Sequence, residues 1–336
     1  MMAISPRLLW KIGITPSFSL SLTCLILTNS TEGAGFFIPN QSTAASGRGN
    51  AWVATADSPA AVHYNPAGLT QIDDRSLELG LYTIHLGNRA DIGGNKFEAK
   101  KEYQPVPSFF YAQPLSDDLT LGFGIYSPFG LGTEWGNETS FRQVTTKADL
   151  INLRASVVAG YRVSDTFSIG GGLSLNYANA VLEQGLTPFN ATAPTNDFLE
   201  FDGDDISLSW IIGAHWQPHE QHSFGIVYRS SAAIGYAYRP TKRLTIEANI
   251  EWINWDEFNS LTISTPVANL PTQRFDWEST FIYEIGFSYQ LNDRYTVSFG
   301  YDYNENAQPD TFYSPAVADG NRHWLNAGLT WNQWTL

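Results

Sequence analysis

Apolar and polar residues alternate with a period of two through most of this chain. In "FSIGGGLSLNY" the odd positions Phe167, Ile169, Leu173, Leu175 and Tyr177 are apolar, while Ser168, Gly170, Gly172, Ser174 and Asn176 are small or polar. "YEIGFSYQL" (283–291), "YTVSFGYDY" (295–303), "LTIEANIEW" (244–252) and "INLRASVVAGYRV" (151–163) repeat the pattern. Alternation of this kind predicts half-buried β-strands, and no amphipathic helix of useful length competes with it. About twelve strands are predicted, near 76–86, 103–114, 119–130, 143–163, 167–184, 205–217, 223–230, 232–239, 244–258, 279–291, 295–305 and 323–333. Several of the intervening turns are short and alike ("LSDD", "VSDT", "LNDR"), whereas 185–204 reads as a long loop rich in Asp, Asn, Thr and Pro.

Alternation alone fits a soluble sandwich as well as a barrel in a membrane. Composition separates them. Charged residues are 15% of the chain, against roughly 25% in soluble domains. Aromatics reach 14%, and mean hydropathy is -0.20, with no apolar run of the ~20 residues that a spanning helix needs. Large aromatics at strand ends, short turns at one end and long loops at the other are features of an outer-membrane barrel. The fold expected is all-β, a transmembrane antiparallel barrel. A net charge of -14 argues against nucleic acid as a partner, since phosphate binding needs Lys and Arg to displace counterions.

The N-terminus fits an envelope destination. Arg7 and Lys11 precede the apolar "LSLTCLIL", and Thr28 to Ser30 form an acceptable small-residue cleavage site, so residues 1–30 read as a signal peptide. Cys24, the single cysteine, would leave with it, and a disulfide framework within the chain is excluded.

Residues 35–72, "GFFIPNQSTAASGRGNAWVATADSPAAVHYNPAGLTQI", break the alternation. They are rich in small residues and poor in charge. Pro66 removes a backbone donor and biases Asn65 to an extended conformation, and Gly68 permits a tight turn. Phe36, Phe37, Trp52 and Tyr64 are too much aromatic surface for a disordered tail. A compact plug inside the lumen is expected, dividing the chain into a signal peptide (1–30), a hatch (31–75) and a barrel (76–336).

This segment resembles the N-terminal hatch of the FadL/TodX family (OMPP1/FadL/TodX), outer-membrane transporters of long-chain fatty acids and hydrocarbons in Gram-negative bacteria. Its Ala-Gly-Phe start (Ala34 to Phe36), small-residue middle and motif at Asn65, Pro66, Ala67 and Gly68 look like the family's. "SPFGLGTEW", "KADLINL", "GYRVSDTFSIGGGL", "IEWINWDEF" and "GYDYNENAQPDTFYSPAVADGNRHWLNAGLTW" follow in family order. Each motif is weak, but the ordered series spans nearly the whole mature chain.

The resemblance implies a monomeric barrel of fourteen strands among outer-membrane lipid and lipopolysaccharide. It implies passive transport of a long-chain fatty acid or similar hydrophobic small molecule: capture at extracellular loops, a hatch-gated pocket, and lateral exit through a kinked strand. Phe36 matches the phenylalanine at the hatch tip, with Phe37 beside it, and Ser127, Pro128, Phe129 and Gly130 match the kink. Pro128 independently implies a break or bulge, because proline cannot donate to the ladder. The ligand-binding set expected is Phe36, Phe37, Arg154, Gln184 and Arg274. Arg274 lies near a basic family position and Arg154 sits on a polar strand face. Gln184 stands where a relative has Arg, which brings uncharged hydrocarbons into contention.

No catalysis, metal or cofactor is expected. His215, His219 and His222 read as a solvated turn, "DGDD" at 202–205 as an acidic loop, and Gly170 to Gly172 as strand, not a phosphate loop. A non-selective porin is the rival reading, against which a hatch in the lumen argues. Two departures stand out. "SFGIVYRSS" runs into "AAIGYAYRP" with almost no loop, where relatives have a strand extension and a long segment. The chain stops at "LTWNQWTL" where relatives add a hairpin, which fits a narrower barrel of about twelve strands or a truncated product.

Overall fold

A computed structural model of the chain describes residues 19–23, 36–100, 102–189, 197–261, 272–317 and 319–332. Twelve long strands follow one another in chain order, each antiparallel to the next. They are β1 (Ser76–Leu86), β2 (Glu102–Pro114), β3 (Leu119–Tyr126, resuming as Gly130–Glu134), β4 (Lys147–Ser164), β5 (Phe167–Gly185) and β6 (Phe198–His219). After them come β7 (His222–Tyr228), β8 (Ser231–Thr241), β9 (Leu244–Ile253), β10 (Thr280–Gln290), β11 (Tyr295–Asn304) and β12 (Arg322–Asn332). The short strand Ser19–Thr23 lies along the outer edge of β12; the rest of the expected signal peptide falls outside the described residues.

Each strand keeps the alternation that predicted it. Burial along β7 and β10 switches at every residue, with Phe224, Ile226, Phe281, Tyr283, Ile285 and Phe287 turned outward and exposed. An outward row of large apolar side chains matches a lipid solvent, and the inward Ser223, Glu284 and Asn249 match a polar lumen. Aromatic pairs stand along the apolar band. Trp216 and Phe224 stack at 5.4 Å near the short-turn end, and Trp210 and Tyr228 meet at 5.1 Å higher up. No helix among the described residues is long and apolar enough to cross a membrane.

Three expectations need correction. The loop expected over 185–204 is shorter, because β5 runs to Gly185 and β6 begins at Phe198, pairing Glu200 with Glu183 and Asp202 with Val181. The polar composition there reflects a hairpin standing above the bilayer, where strands need no apolar face. His215 is not in a solvated turn: it faces inward from β6 and is buried, while His219 and His222 do flank the turn. The acidic 202–205 run is strand for the same reason as the loop.

Residues 37–72 fill the lumen. Most are buried, and they form only short turns of helix, Thr43–Ser46, Ala61–Tyr64 and a 3-10 turn at Pro66–Gln71. Their seat is a ring of inward glycines. Gly160 and Gly170 face Pro66, Gly213 faces Asn65, Gly225 and Gly235 face Val53, and Gly286 and Gly300 face Arg48. A Cβ on Gly300 would stand 2.1 Å from backbone atoms of Arg48 and Gly49, so close backbone approach requires glycine there.

Candidate functional site

Asn65 starts the 3-10 turn, and its side chain is completely buried yet satisfied. Its carbonyl accepts from the Ala67 N–H at 3.2 Å, and its amide donates to Val53 O at 2.9 Å and to Ala214 O of β6 at 3.1 Å. Pro66 opens the turn where a missing donor costs nothing. Gly68 lies against Ala56, where a Cβ would meet the Ala56 carbonyl at 2.3 Å. The Asn65, Pro66, Ala67 and Gly68 motif is therefore a docking device between two layers of the plug and the wall. A second anchor is ionic: Glu247 of β9 accepts from Arg48 Nη2 at 3.0 Å, Thr55 Oγ1 at 2.5 Å and Ala54 N at 2.7 Å. With all those partners the buried charge is matched, whereas removing one would cost about 3–5 kcal/mol.

The segment's leading end fits into the break in β3. The strand pairs with β4 up to Tyr126↔Arg154 and resumes at Gly130↔Ile151, leaving Ser127, Pro128 and Phe129 out of the ladder. Residues 36–41 supply the missing partners. The Ile38 N–H donates to Pro128 O at 2.8 Å, the Gly130 N–H donates to Phe36 O at 2.8 Å, and Phe37 bridges Phe129. Gln41 donates to Ser127 O at 2.9 Å and accepts from the Ser127 N–H at 3.2 Å. On the other side of the break, β2 pairs with β3 no higher than Phe109↔Ile125. Pro105 and Pro107 stand in the part of β2 above that pair, and prolines belong on such an edge because they leave it without donors.

Inside this tip lies a cavity of about 70 Å³, lined by Phe37, Pro128, Phe129, His63, Arg154 and Arg229, with Ser230, Ser231, Ile253, Asn254 and Trp255 closing its far side. Arg154 projects inward from β4 and is buried. Its Nε donates to the neutral Asn176 side chain at 2.6 Å, with the Tyr126 hydroxyl beside it. Arg229 is compensated: it donates to Glu251 at 2.7 Å and to the His63 carbonyl at 3.2 Å. Burial holds the His63 imidazole well below its usual range, and the Arg229 and Arg154 guanidiniums add to the effect. Among the described residues, neither ring nitrogen of His63 has a hydrogen-bond partner. The site thus has one buried cation without a carboxylate among the described residues, beside the Arg229–Glu251 ion pair and otherwise uncharged side chains.

Above the cavity Phe36 sits within an aromatic cap, 5.0 Å from Trp255, 5.7 Å from Phe258, 5.7 Å from Trp277 and 5.9 Å from Phe129. Of the residues expected to bind ligand, Phe37 and Arg154 meet at the cavity and Phe36 at its lid. Gln184 lies half-buried near the top of β5. Arg274 is on the outer loop, exposed, ion-paired to Asp276 and stacked on Phe312 at 4.8 Å. Sequence reasoning missed His63, Arg229, Asn254 and Trp255. Arg229 could have been found, since it continues the inward parity of β7 as a charge among small residues.

The profile of the outer membrane protein transport protein family (OMPP1/FadL/TodX) matches residues 24–237 and 231–335. The long-chain fatty acid transport protein of Escherichia coli O6:H1 is 21% identical, covering 93% of this chain and 86% of the relative. Outer membrane protein P1 of Haemophilus influenzae is 24% identical over 93% of this chain and 85% of its own. In fold, the chain is similar to a Pseudomonas aeruginosa FadL homologue (TM-score 0.76, 17% identity, 90% of this chain and 88% of the other). It is also similar to the Pseudomonas putida toluene transporter TodX (TM-score 0.66, 16% identity, 90% and 98%). With a strand-only wall, a filled lumen and a family profile spanning almost its full length, this chain is an outer-membrane β-barrel of a Gram-negative bacterium and belongs to the OMPP1/FadL/TodX family of outer membrane transport proteins.

Proposed function

We propose that this protein carries long-chain fatty acids, or single-chain carboxylates like them, passively across the outer membrane. Arg154 holds the head group, and the Phe36–Ile38 tip controls access to the cavity and to the break in β3. The observation that carries this reading is Arg154 itself. A buried guanidinium without a carboxylate partner is costly to maintain, and an incoming carboxylate would supply the charge-assisted bond it lacks. The cavity volume supports a closed state: 70 Å³ holds about two waters at ~30 Å³ each, enough for a head group but not for a tail. Displacing residues 36–41 would release the backbone groups at Ser127, Pro128 and Gly130 and open the wall beside them. Capture on the aromatic cap, then hatch displacement, then lateral exit gives the sequence of events.

The aromatic cap and Gln184 favour a second reading, transport of uncharged hydrocarbons or aromatics. The test is uptake in a Gram-negative strain lacking its own fatty acid transporter, with oleate, an alkane and a small sugar compared. Oleate uptake is expected. Alkane uptake alone would favour the second reading, and sugar uptake alone would restore the porin.

A further inference from the structure

We propose a second opening in the barrel wall, above the β7–β8 hairpin, through which the tail of a single-chain amphiphile passes between lumen and bilayer; the identity of that cargo rests on the transport reading above. The first ground is an unpaired edge. β6 pairs with β5 along nearly its whole length, but with β7 only from Ile212↔Tyr228 toward the short-turn end. Among the described residues, 198–211 therefore present a free edge on the β7 side. Its lower part lies at membrane depth, since Trp210, Leu208 and Ile206 face outward and are 54%, 69% and 63% exposed. The outward positions of β6 stay apolar until Asp204.

β7 has 7 residues. At about 3.3 Å per residue it runs about 23 Å along the strand. Tilted at about 45° it rises roughly 16 Å, short of the ~25 Å apolar band. An open sheet edge is not tolerated against lipid unless protein buries it or it lines a cavity. A notch that gives onto a cavity satisfies that condition.

The second ground is independent. Arg229, Ser230 and Ser231 line the inner cavity. The flanking Tyr228 and Ala232, with Trp210 and Trp252, line an apolar concavity of about 1380 Å³ on the lipid-facing side. The partition between a cationic pocket and an apolar groove is thus one two-residue connection. That connection is held in an uncommon conformation, Ser230 at φ 102°, and conformations of this kind persist only where surrounding contacts hold them. Here the contacts include the plug, because Arg229 donates to the carbonyls of His63 and Tyr64. Displacing the hatch would free the tip as well as the β3 break.

The test uses the full chain in lipid vesicles in a Cys24→Ser background, with Ile253→Cys as reporter on the cavity side of the rim. N-hexadecylmaleimide delivered from the bilayer is expected to alkylate this thiol. Asn254→Trp on the rim should slow the reaction at least tenfold, and Ala232→Trp, which fills the outer groove, provides a second obstruction if the first perturbs the loop. Ile125→Trp, which obstructs the lipid face directly below the β3 break and lies outside the cavity, should leave the rate within twofold. A rate that falls with Ile125→Trp and ignores Asn254→Trp and Ala232→Trp overturns the port, as does a thiol that reacts only after unfolding. Oleate uptake by the unobstructed protein is measured alongside. Its absence would overturn the cargo assignment while the alkylation rates still decide the port.

Discussion

At the scale of single residues, the head-group role proposed for Arg154 is what a comparison of cargo classes tests. Losing a charge-assisted bond in a partly desolvated pocket costs about 1.5–3 kcal/mol, roughly ten- to a hundredfold in affinity. Arg154→Gln should weaken oleate binding to the purified protein by that factor and leave a same-length alkane unaffected. Arg274→Ala should change oleate affinity little, because its guanidinium is exposed and already paired with Asp276. Equal loss from both variants would move the head-group site to the outer loop. His63 makes a separate, pH-dependent prediction. Its folded value is held below the ordinary 6.5, so between the two values the unfolded chain binds a proton that the folded one refuses. Stability then falls as pH drops below about 6.5 and is fully present above it. His63→Phe should flatten that slope in urea titrations between pH 7 and 5; an unchanged slope would place the titrating group elsewhere. Arg154 was legible as an inward charge from strand parity alone. His63 was not, because nothing in "AAVHYNPAGL" says which wall its side chain meets.

At the scale of elements, the break in β3 was readable from Pro128, but what fills it was not. Pairing between residues 36–41 and 127–130 joins segments about ninety positions apart, and the plug has no strand period to announce it. The expected strand over 119–130 stops at Tyr126 for the reason proline gives. The free edge of β6 was legible in part, since "VYRSSAA" leaves no room for a loop. Replacing Pro128 by Val and Gly130 by Thr should let the strand continue through the break. The hatch tip would then lose its partners, because Ile38 donates to Pro128 O and Gly130 donates to Phe36 O. Oleate uptake should fall severalfold, with heat-modifiable gel migration unchanged. Uptake at the original rate would show that cargo does not leave beside β3.

At the scale of the whole molecule, the wall and the plug are fitted by subtraction of side chains. Period-two alternation showed small residues on the inward faces. It could not show that the inward glycines of β4, β5, β6, β7, β8, β10 and β11 meet one continuous segment, because that coincidence exists only once the sheet curls around the plug. The consequence is testable at Gly286 and Gly300. A Cβ at Gly286 would stand 2.3 Å from the Arg48 carbonyl oxygen, and one at Gly300 would stand 2.1 Å from the Arg48 carbonyl carbon. Neither neighbour is the end of a flexible chain, so valine at both sites must push the Arg48–Ala51 turn off the wall. The displaced turn would pull Arg48 from Glu247 and leave that carboxylate buried without its cation, a loss of about 3–5 kcal/mol. The barrel ladders do not depend on this contact and should persist. We therefore expect the double variant to keep its heat-modifiable migration, become sensitive to protease within residues 36–72, and conduct ions in planar bilayers at a level approaching that of a chain with 36–72 deleted. Intact resistance to protease together with a silent bilayer would mean that the wall yields instead of the plug, and the lumen would then be sealed by something other than this seat of glycines.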